Sequence, residues 1–243
     1  MRIHLLGTSA GSPDPDRAPT SILVEGVDQG LLIDAGDGVA RTLVRGRYRD
    51  IRIRSVLLTH NHADHVSGLP FLVQHWKGSG KRREPLEVLC PAGLGMALER
   101  WLSALRMPPD RLPFALEFRQ LTAGEWTSAS GHRLDAWETD HFEGDGSEDH
   151  CFGVTLKDPG GDWIFSSDLK SLKPLESRLN GVHGLIVESA HVDPKRAVRM
   201  AKKRGVHQIV LTHVPLGRET PKIDGAVWAE DGMILETGHT GEK

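Results

Sequence analysis

The run Thr59-His60-Asn61-His62-Ala63-Asp64-His65 restricts the architecture of this chain more than any other segment. It puts four side chains able to ligate a metal between positions 60 and 65, directly behind an apolar run over 55–59 that reads as a buried strand. A strand that ends in such a loop must deliver all four to one small surface. His60 and His62, two apart, can point to one side while Asp64 and His65 reach a second position, which divides the ligands between two ions. Imidazole and carboxylate suit Zn²⁺ best, and Mn²⁺ or Fe²⁺ as well.

Further candidates of the same kind recur at strand ends. His141 follows Glu138-Thr139-Asp140, Asp168 closes Trp163-Ile164-Phe165-Ser166-Ser167, and His213 closes Ile209-Val210-Leu211-Thr212. Each alone would pass as a structural polar residue. Together they complete the ligand set that two metals need. The remaining histidines His4, His75, His132, His150, His183, His207 and His239 have no such context and read as ordinary surface or core residues.

Short apolar runs bounded by Gly, Pro or Asp read as strands over 2–6, 21–25, 31–34, 55–59 and 86–90, and the second and third of these read as a hairpin. Helices are expected over 37–45, 66–76 and from Leu94 to Leu105, the last ended by the proline-rich stretch 107–113. Beyond it come strands over 114–121, 125–128, 132–138, 151–157, 162–166, 184–187, 208–212, 226–229 and 233–236, with helices over 171–179 and 194–204. Two sheets packed face to face with helices outside follow from that order, in one domain over 1–243, because no linker or repeat divides the chain.

Composition narrows the partners. A formal net charge of −3 with 26% charged residues gives no reason for wholesale adhesion to nucleic acid or anionic membrane. No run approaches a membrane helix, and the opening MRIHLLGTSAG lacks a basic region followed by a long apolar core, so a cytoplasmic location is expected. Cys90 and Cys151 stand in no motif, and no disulfide is expected.

The pattern HxHxDH, then a lone His, an Asp and a last His, resembles the metallo-β-lactamase superfamily over nearly the whole chain. The resemblance implies a four-layer αββα sandwich with its site at one edge of the sheets. It also implies that His60, His62 and His141 hold one ion, that Asp64, His65 and His213 hold the other, and that Asp168 bridges them. Asp34, in Leu32-Ile33-Asp34-Ala35-Gly36, resembles the strand-end Asp behind the metal loop in that superfamily.

Fold alone does not fix the reaction. Three segments resemble ribonuclease Z and its relatives, and the last of them also resembles the phosphodiesterase of the carbon–phosphorus lyase pathway. They are the loop Leu6-Gly7-Thr8-Ser9-Ala10-Gly11-Ser12-Pro13, the turn Cys90-Pro91-Ala92-Gly93, and His191 ahead of an Ala-containing helix and the terminal Leu-Thr-His strand. By that resemblance Asp64, His191 and Glu188 are catalytic: two cations would hold a bridging hydroxide, and His191, paired with Glu188, would protonate the leaving alkoxide. A homodimer is implied too.

The stretch between His141 and Asp168 leaves no room for the long arm with which ribonuclease Z grips the tRNA elbow, and its turn over 143–149 is acidic. A small or cyclic phosphodiester is therefore the expected substrate, with nucleic acid not favoured. The alternatives are a ribonuclease Z-like endonuclease of RNA 3′ ends, or a lactone or thioester hydrolase on the same metals. Two basic clusters remain: Arg41, Arg45, Arg47, Arg49, Arg52 and Arg54 alternate with apolar residues, and Lys77, Lys81, Arg82 and Arg83 form a loop. The second follows the helix after the metal loop and can border the site, where a phosphate-bearing substrate would gain from it.

Overall fold

A computed structural model describes residues 1–45, 48–80, 82–144 and 146–237. The first seven-stranded sheet begins with β1 (Arg2–Gly7), β2 (Ser21–Glu25) and β3 (Gly30–Ile33), antiparallel in succession, with β14 (Met233–Glu236) returning along the free edge of β1. From β3 onward the pairing turns parallel through β4 (Ile53–Leu57), β5 (Leu86–Cys90) and β6 (Leu116–Gln120). Parallel neighbours need crossovers. These contain α1 (Val39–Leu43), then α2 (Ala63–Val66) with α3 (Leu69–Ser79), then α4 (Leu94–Ala104).

The second seven-stranded sheet repeats the plan. Its strands β7 (Gly124–Thr127), β8 (Arg133–Glu138), β9 (Phe152–Leu156) and β10 (Trp163–Phe165) are antiparallel, and β11 (Gly184–Glu188), β12 (Gln208–Thr212) and β13 (Val227–Trp228) continue in parallel. Its crossovers carry α5 (Lys173–Glu176) and α6 (Pro194–Lys203).

Strand side chains alternate between two apolar layers, as the pleat requires. In β3, Leu31 and Ile33 face the other sheet while Leu32 packs under the helices. In β11, Ile186 faces inward and Leu185 and Val187 outward. With both faces covered, every residue of β3, β5, β9, β10 and β11 is buried. The layering is the expected αββα sandwich.

Three helices depart from the expected spans, each for a local reason. The helix over 66–76 divides at Ser67 and Gly68, where Gly68 N–H donates to Ala35 O at 2.7 Å. A Cβ on Gly68 would stand 2.1 Å from Gly36 O, so only glycine lets the two loops touch. The helix over 171–179 shrinks to α5, because the N–H groups of Lys170 and Ser171 donate to Asp140 (2.9 and 3.0 Å) instead of starting a helix. The helix over 37–45 keeps only α1.

Cys90 and Cys151 are free and buried. Among the described residues, no helix is long and apolar enough to cross a membrane. His4 is a core histidine, paired with Glu25 at 2.8 Å. Arg47, Lys81 and His239 lie outside the described residues.

Candidate metal centre

The parallel strands of both sheets present their C-terminal ends on one side, and the expected ligands gather there. The loop behind β4 brings His60, His62, Asp64 and His65 from the first sheet. The second sheet supplies His141 behind β8, Asp168 behind β10 and His213 behind β12. Ligand atoms of His60, His62, His141 and Asp168 lie within 4.8 Å of one another, as do those of Asp64, His65 and His213.

Asp168 reaches histidines of both groups. Its Oδ2 stands 3.7 Å from His60 Nε2, 3.8 Å from His141 Nε2 and 3.4 Å from His213 Nε2, while Oδ1 is 3.6 Å from His65 Nε2. Asp64 Oδ2 lies 3.4 Å from His65 Nε2 and 3.8 Å from His213 Nε2, and Gly11 N–H donates to it at 2.9 Å. The imidazole–carboxylate spacings, 3.4–3.8 Å, are longer than ordinary hydrogen bonds. They match ligands around a shared ion, because two atoms each about 2.1 Å from a tetrahedral metal stand about 3.4 Å apart.

Hydrogen bonds behind the cluster fix which nitrogen faces it. Asp34 is buried at the tip of β3, and its carboxylate accepts from Thr59 N–H (2.8 Å), Thr59 Oγ1–H (3.0 Å) and His65 Nδ1–H (2.7 Å). Thr59 Oγ1 in turn accepts from His60 Nδ1–H at 3.0 Å. One carboxylate thereby sets the tautomers of two imidazoles. On the opposite side Thr20 Oγ1 accepts from His213 Nδ1–H at 2.8 Å. The Nε2 atoms of His60 and His65 are then buried with no hydrogen-bond partner among the described residues. Buried lone pairs of that kind are costly unless a cation meets them, so the donor set fits divalent metal ions.

Charge is unevenly spread over the cluster. Burial pushes the Asp168 carboxyl up, but His213, His65 and His60 outweigh it and hold it well below the usual carboxylate range. Burial drives His60 well below the ordinary imidazole value and His141 down to about 4. Burial acts on His65 too, yet Asp34 prevails and raises it to about 9.

His191 stands at the mouth, with its Nδ1 3.5 Å from Glu188 Oε1 and 3.9 Å from Asp168 Oδ2. Glu188 is buried at the end of β11, and its Oε2 accepts the backbone N–H of His191 at 2.9 Å. The Glu188 carboxylate beside it raises the His191 pKa above the ordinary value against the effect of burial. A cavity of about 230 Å³ opens between Gly11, His62, Asp64, Asp168, His191 and His213.

Backbone strain marks the same place. Asp34, Ser167 and His213, at or just beyond the tips of β3, β10 and β12, have φ of 58°, 51° and 54°. Left-handed backbone at non-glycine residues costs roughly 1–3 kcal/mol each and collects at functional sites.

Two contributors escaped the sequence reading. Thr20 orients His213 from 193 positions away, and nothing in its sequence neighbourhood announces that role. Phe142 packs its ring 5.8, 5.2 and 4.8 Å from those of His60, His62 and His141, and only its place next to His141 hinted at it. The expectation that the loop of Lys77, Arg82 and Arg83 borders the site is corrected. None of the three lines the cavity, because α3 carries that loop to the opposite end of the sheet, where Arg82 Nη1 donates to Ile53 O at the start of β4.

A family model described as "Beta-lactamase superfamily domain" matches residues 30–214, a span that includes every candidate ligand. Ribonuclease Z of Lachnospira eligens is 38% identical over 160 residues, which cover 65% of this chain and 49% of that protein. Ribonuclease Z of Lachnoclostridium phytofermentans is 30% identical over a 247-residue alignment, covering 100% of this chain and 76% of that one. The chain thus spans about half the length of the first relative and three quarters of the second. Among solved structures, human tRNase Z, short form, shares the fold with a TM-score of 0.77 at 20% identity, covering 98% of this chain and 99% of that chain.

Proposed function

This chain belongs to the β-lactamase superfamily, and from that premise we propose that it is a metal-dependent phosphodiesterase acting on a small or cyclic diester. His60, His62 and His141 would hold one divalent cation and Asp64, His65 and His213 a second, with Asp168 shared and zinc the favoured metal. When bound, such a pair supplies a water activated near neutral pH and a Lewis acid for a phosphoryl oxygen.

The chain's own residues do the rest. Asp34, Thr59 and Thr20 bond Nδ1 of three imidazoles and so turn their Nε2 atoms into the cluster, where they would meet the ions. Gly11 N–H holds Asp64 in position. The observation that carries the phosphodiester reading is His191 beside Glu188 at the mouth of the cavity. With Glu188 at Nδ1, the imidazole keeps its proton to a higher pH and can pass it from Nε2 to the departing alkoxide oxygen. The compact span between His141 and β9, which carries Glu143, Glu148 and Asp149, supports a small substrate over a folded RNA.

The test uses the metal-loaded protein and two kinds of diester. His191→Ala is expected to lower kcat by about 10²–10⁴-fold on a diester with an alkyl leaving group. The loss should be smaller on bis(p-nitrophenyl) phosphate, whose leaving group needs little acid help, and elemental analysis should show metal content retained. Equal turnover of the alkyl diester by both proteins removes His191 from the reaction. Hydrolysis of lactones or thioesters but of no diester rejects the reading as a whole.

The named relatives favour a second reading, cleavage at the 3′ end of RNA. It predicts that precursor tRNA is processed faster than any small diester is hydrolysed.

A further inference from the structure

At the other end of the first sheet, the start of β4 and the end of α3 border a half-open pocket of about 720 Å³, within the size range of small-ligand sites. β4 runs from Ile53 in its floor toward His60, so at about 3.3 Å per residue the pocket lies on the order of 20 Å from the metal cluster. Leu43 and Leu72 make the floor apolar, and the indole of Trp76 forms a wall. Arg49, Arg52, Arg82 and Arg83 form the rim. Glu84, paired with Arg52, is the lone carboxylate among the described lining residues.

The guanidinium groups crowd around Arg82. Arg82 is locked in place: Nη1 donates to Ile53 O at 2.8 Å, Nη2 donates to Pro85 O at 3.0 Å, and Cζ lies 4.8 Å from the Trp76 ring centre and 5.3 Å from that of Phe114. The bond to Ile53 O sets it beside Arg52 and Arg54, the neighbours of Ile53 in sequence. Burial first, and then Arg54 and Arg52, push its pKa down to about 10. The Nε groups of Arg54 and Arg82 are buried with no hydrogen-bond partner among the described residues. Like charges gathered in a half-desolvated hollow are relieved by an anion. Guanidinium favours phosphate, and an indole favours the flat face of a base.

We propose that this pocket binds a nucleoside phosphate, with its base against Trp76 and its phosphate among Arg49, Arg52 and Arg83, as a site separate from the metal centre. The ligand is either a free nucleotide or a nucleotide within an RNA strand. The concave, half-open shape and apolar floor distinguish the pocket from a flat solvated face. The inference does not depend on which ester, if any, the metal centre cleaves.

Isothermal titration of the metal-loaded protein with AMP, adenosine, inorganic phosphate and a ten-residue oligoadenylate tests it. AMP is expected to bind at least about tenfold more tightly than adenosine or phosphate, because both halves of the pocket contribute. The double variant Arg49→Ala/Arg83→Ala removes only exposed rim groups. It should weaken AMP by about tenfold or more while bis(p-nitrophenyl) phosphate turnover stays unchanged, and Arg49→Lys/Arg83→Lys should restore part of the loss. Oligoadenylate binding about tenfold tighter than AMP, with the same sensitivity to the variants, identifies a strand as the source. Comparable affinities identify the free nucleotide. Three results overturn the proposal: no binding of AMP or the oligonucleotide at millimolar concentration, equal affinity in the double variant, or loss of binding when metal is chelated.

Discussion

Glu188 and His191 form a short unit whose chemistry depends on both members. The imidazole's pKa is raised because the buried carboxylate beside it stabilises the charged form more than partial burial penalises it. A group raised in this way stays protonated to a higher pH, so activity that needs the imidazolium persists further into the alkaline range. Glu188→Gln keeps the shape and removes the charge. It is expected to move the alkaline limb of the kcat/KM profile to lower pH, and a limb that stays in place would detach Glu188 from the acid. Asp34 works on the other face of the cluster through His65 and, by way of Thr59, through His60. Carboxylates behind metal-ligating imidazoles are worth about 10–100-fold in metal affinity. Competition with a chelator should show Asp34→Asn weakened by that factor, whereas Glu25→Gln, at the remote His4 pair, should leave metal binding untouched.

Among the elements, the metal loop is held by backbone contacts as well as by side chains. Ala35 N–H donates to His65 O and Gly68 N–H donates to Ala35 O, both at 2.7 Å, which clamps the loop against the tip of β3. Gly68→Ala would drive a methyl into Gly36 O. Forced repacking of this kind costs about 1–3 kcal/mol, which for a chain of 243 residues lowers Tm by roughly 2–12 °C. Thermal melts together with zinc content should show both falling, and a variant that melts normally with full metal would contradict the clamp. The same clamp explains what could be read from the sequence. The contiguous run from His60 to His65 was legible because its ligands are neighbours in the chain, and His141, Asp168 and His213 because each ends an apolar strand. The break between α2 and α3 was not, since it arises from a through-space contact between Gly36 and Gly68. The partnership of Thr20 with His213 was hidden for the same reason. The crowding of Arg52 and Arg54 was hidden as well, because Arg82 reaches them through space from beyond α3.

At the scale of the molecule, the two sheets meet along an apolar interface, and the candidate ligands gather at one edge of it. His60, His62, Asp64 and His65 come from one sheet and His141, Asp168 and His213 from the other, so ions held between them would join the halves. Binding confined to the folded state stabilises it by about 2.7 kcal/mol at a hundredfold excess over Kd. Chelation is therefore expected to lower Tm by roughly 5–11 °C, with full recovery on adding zinc; a melt indifferent to chelation would argue against ions spanning the sheets.

The left-handed backbone of Asp34, Ser167 and His213 is fixed by the strands and loops around them. A socket shaped by main-chain torsions cannot easily swell to admit a larger guest. Discrimination among cations would then fall on radius and preferred donor: five imidazoles and two carboxylates would suit a compact ion content with nitrogen better than calcium, which asks for six to eight oxygens at 2.3–2.6 Å.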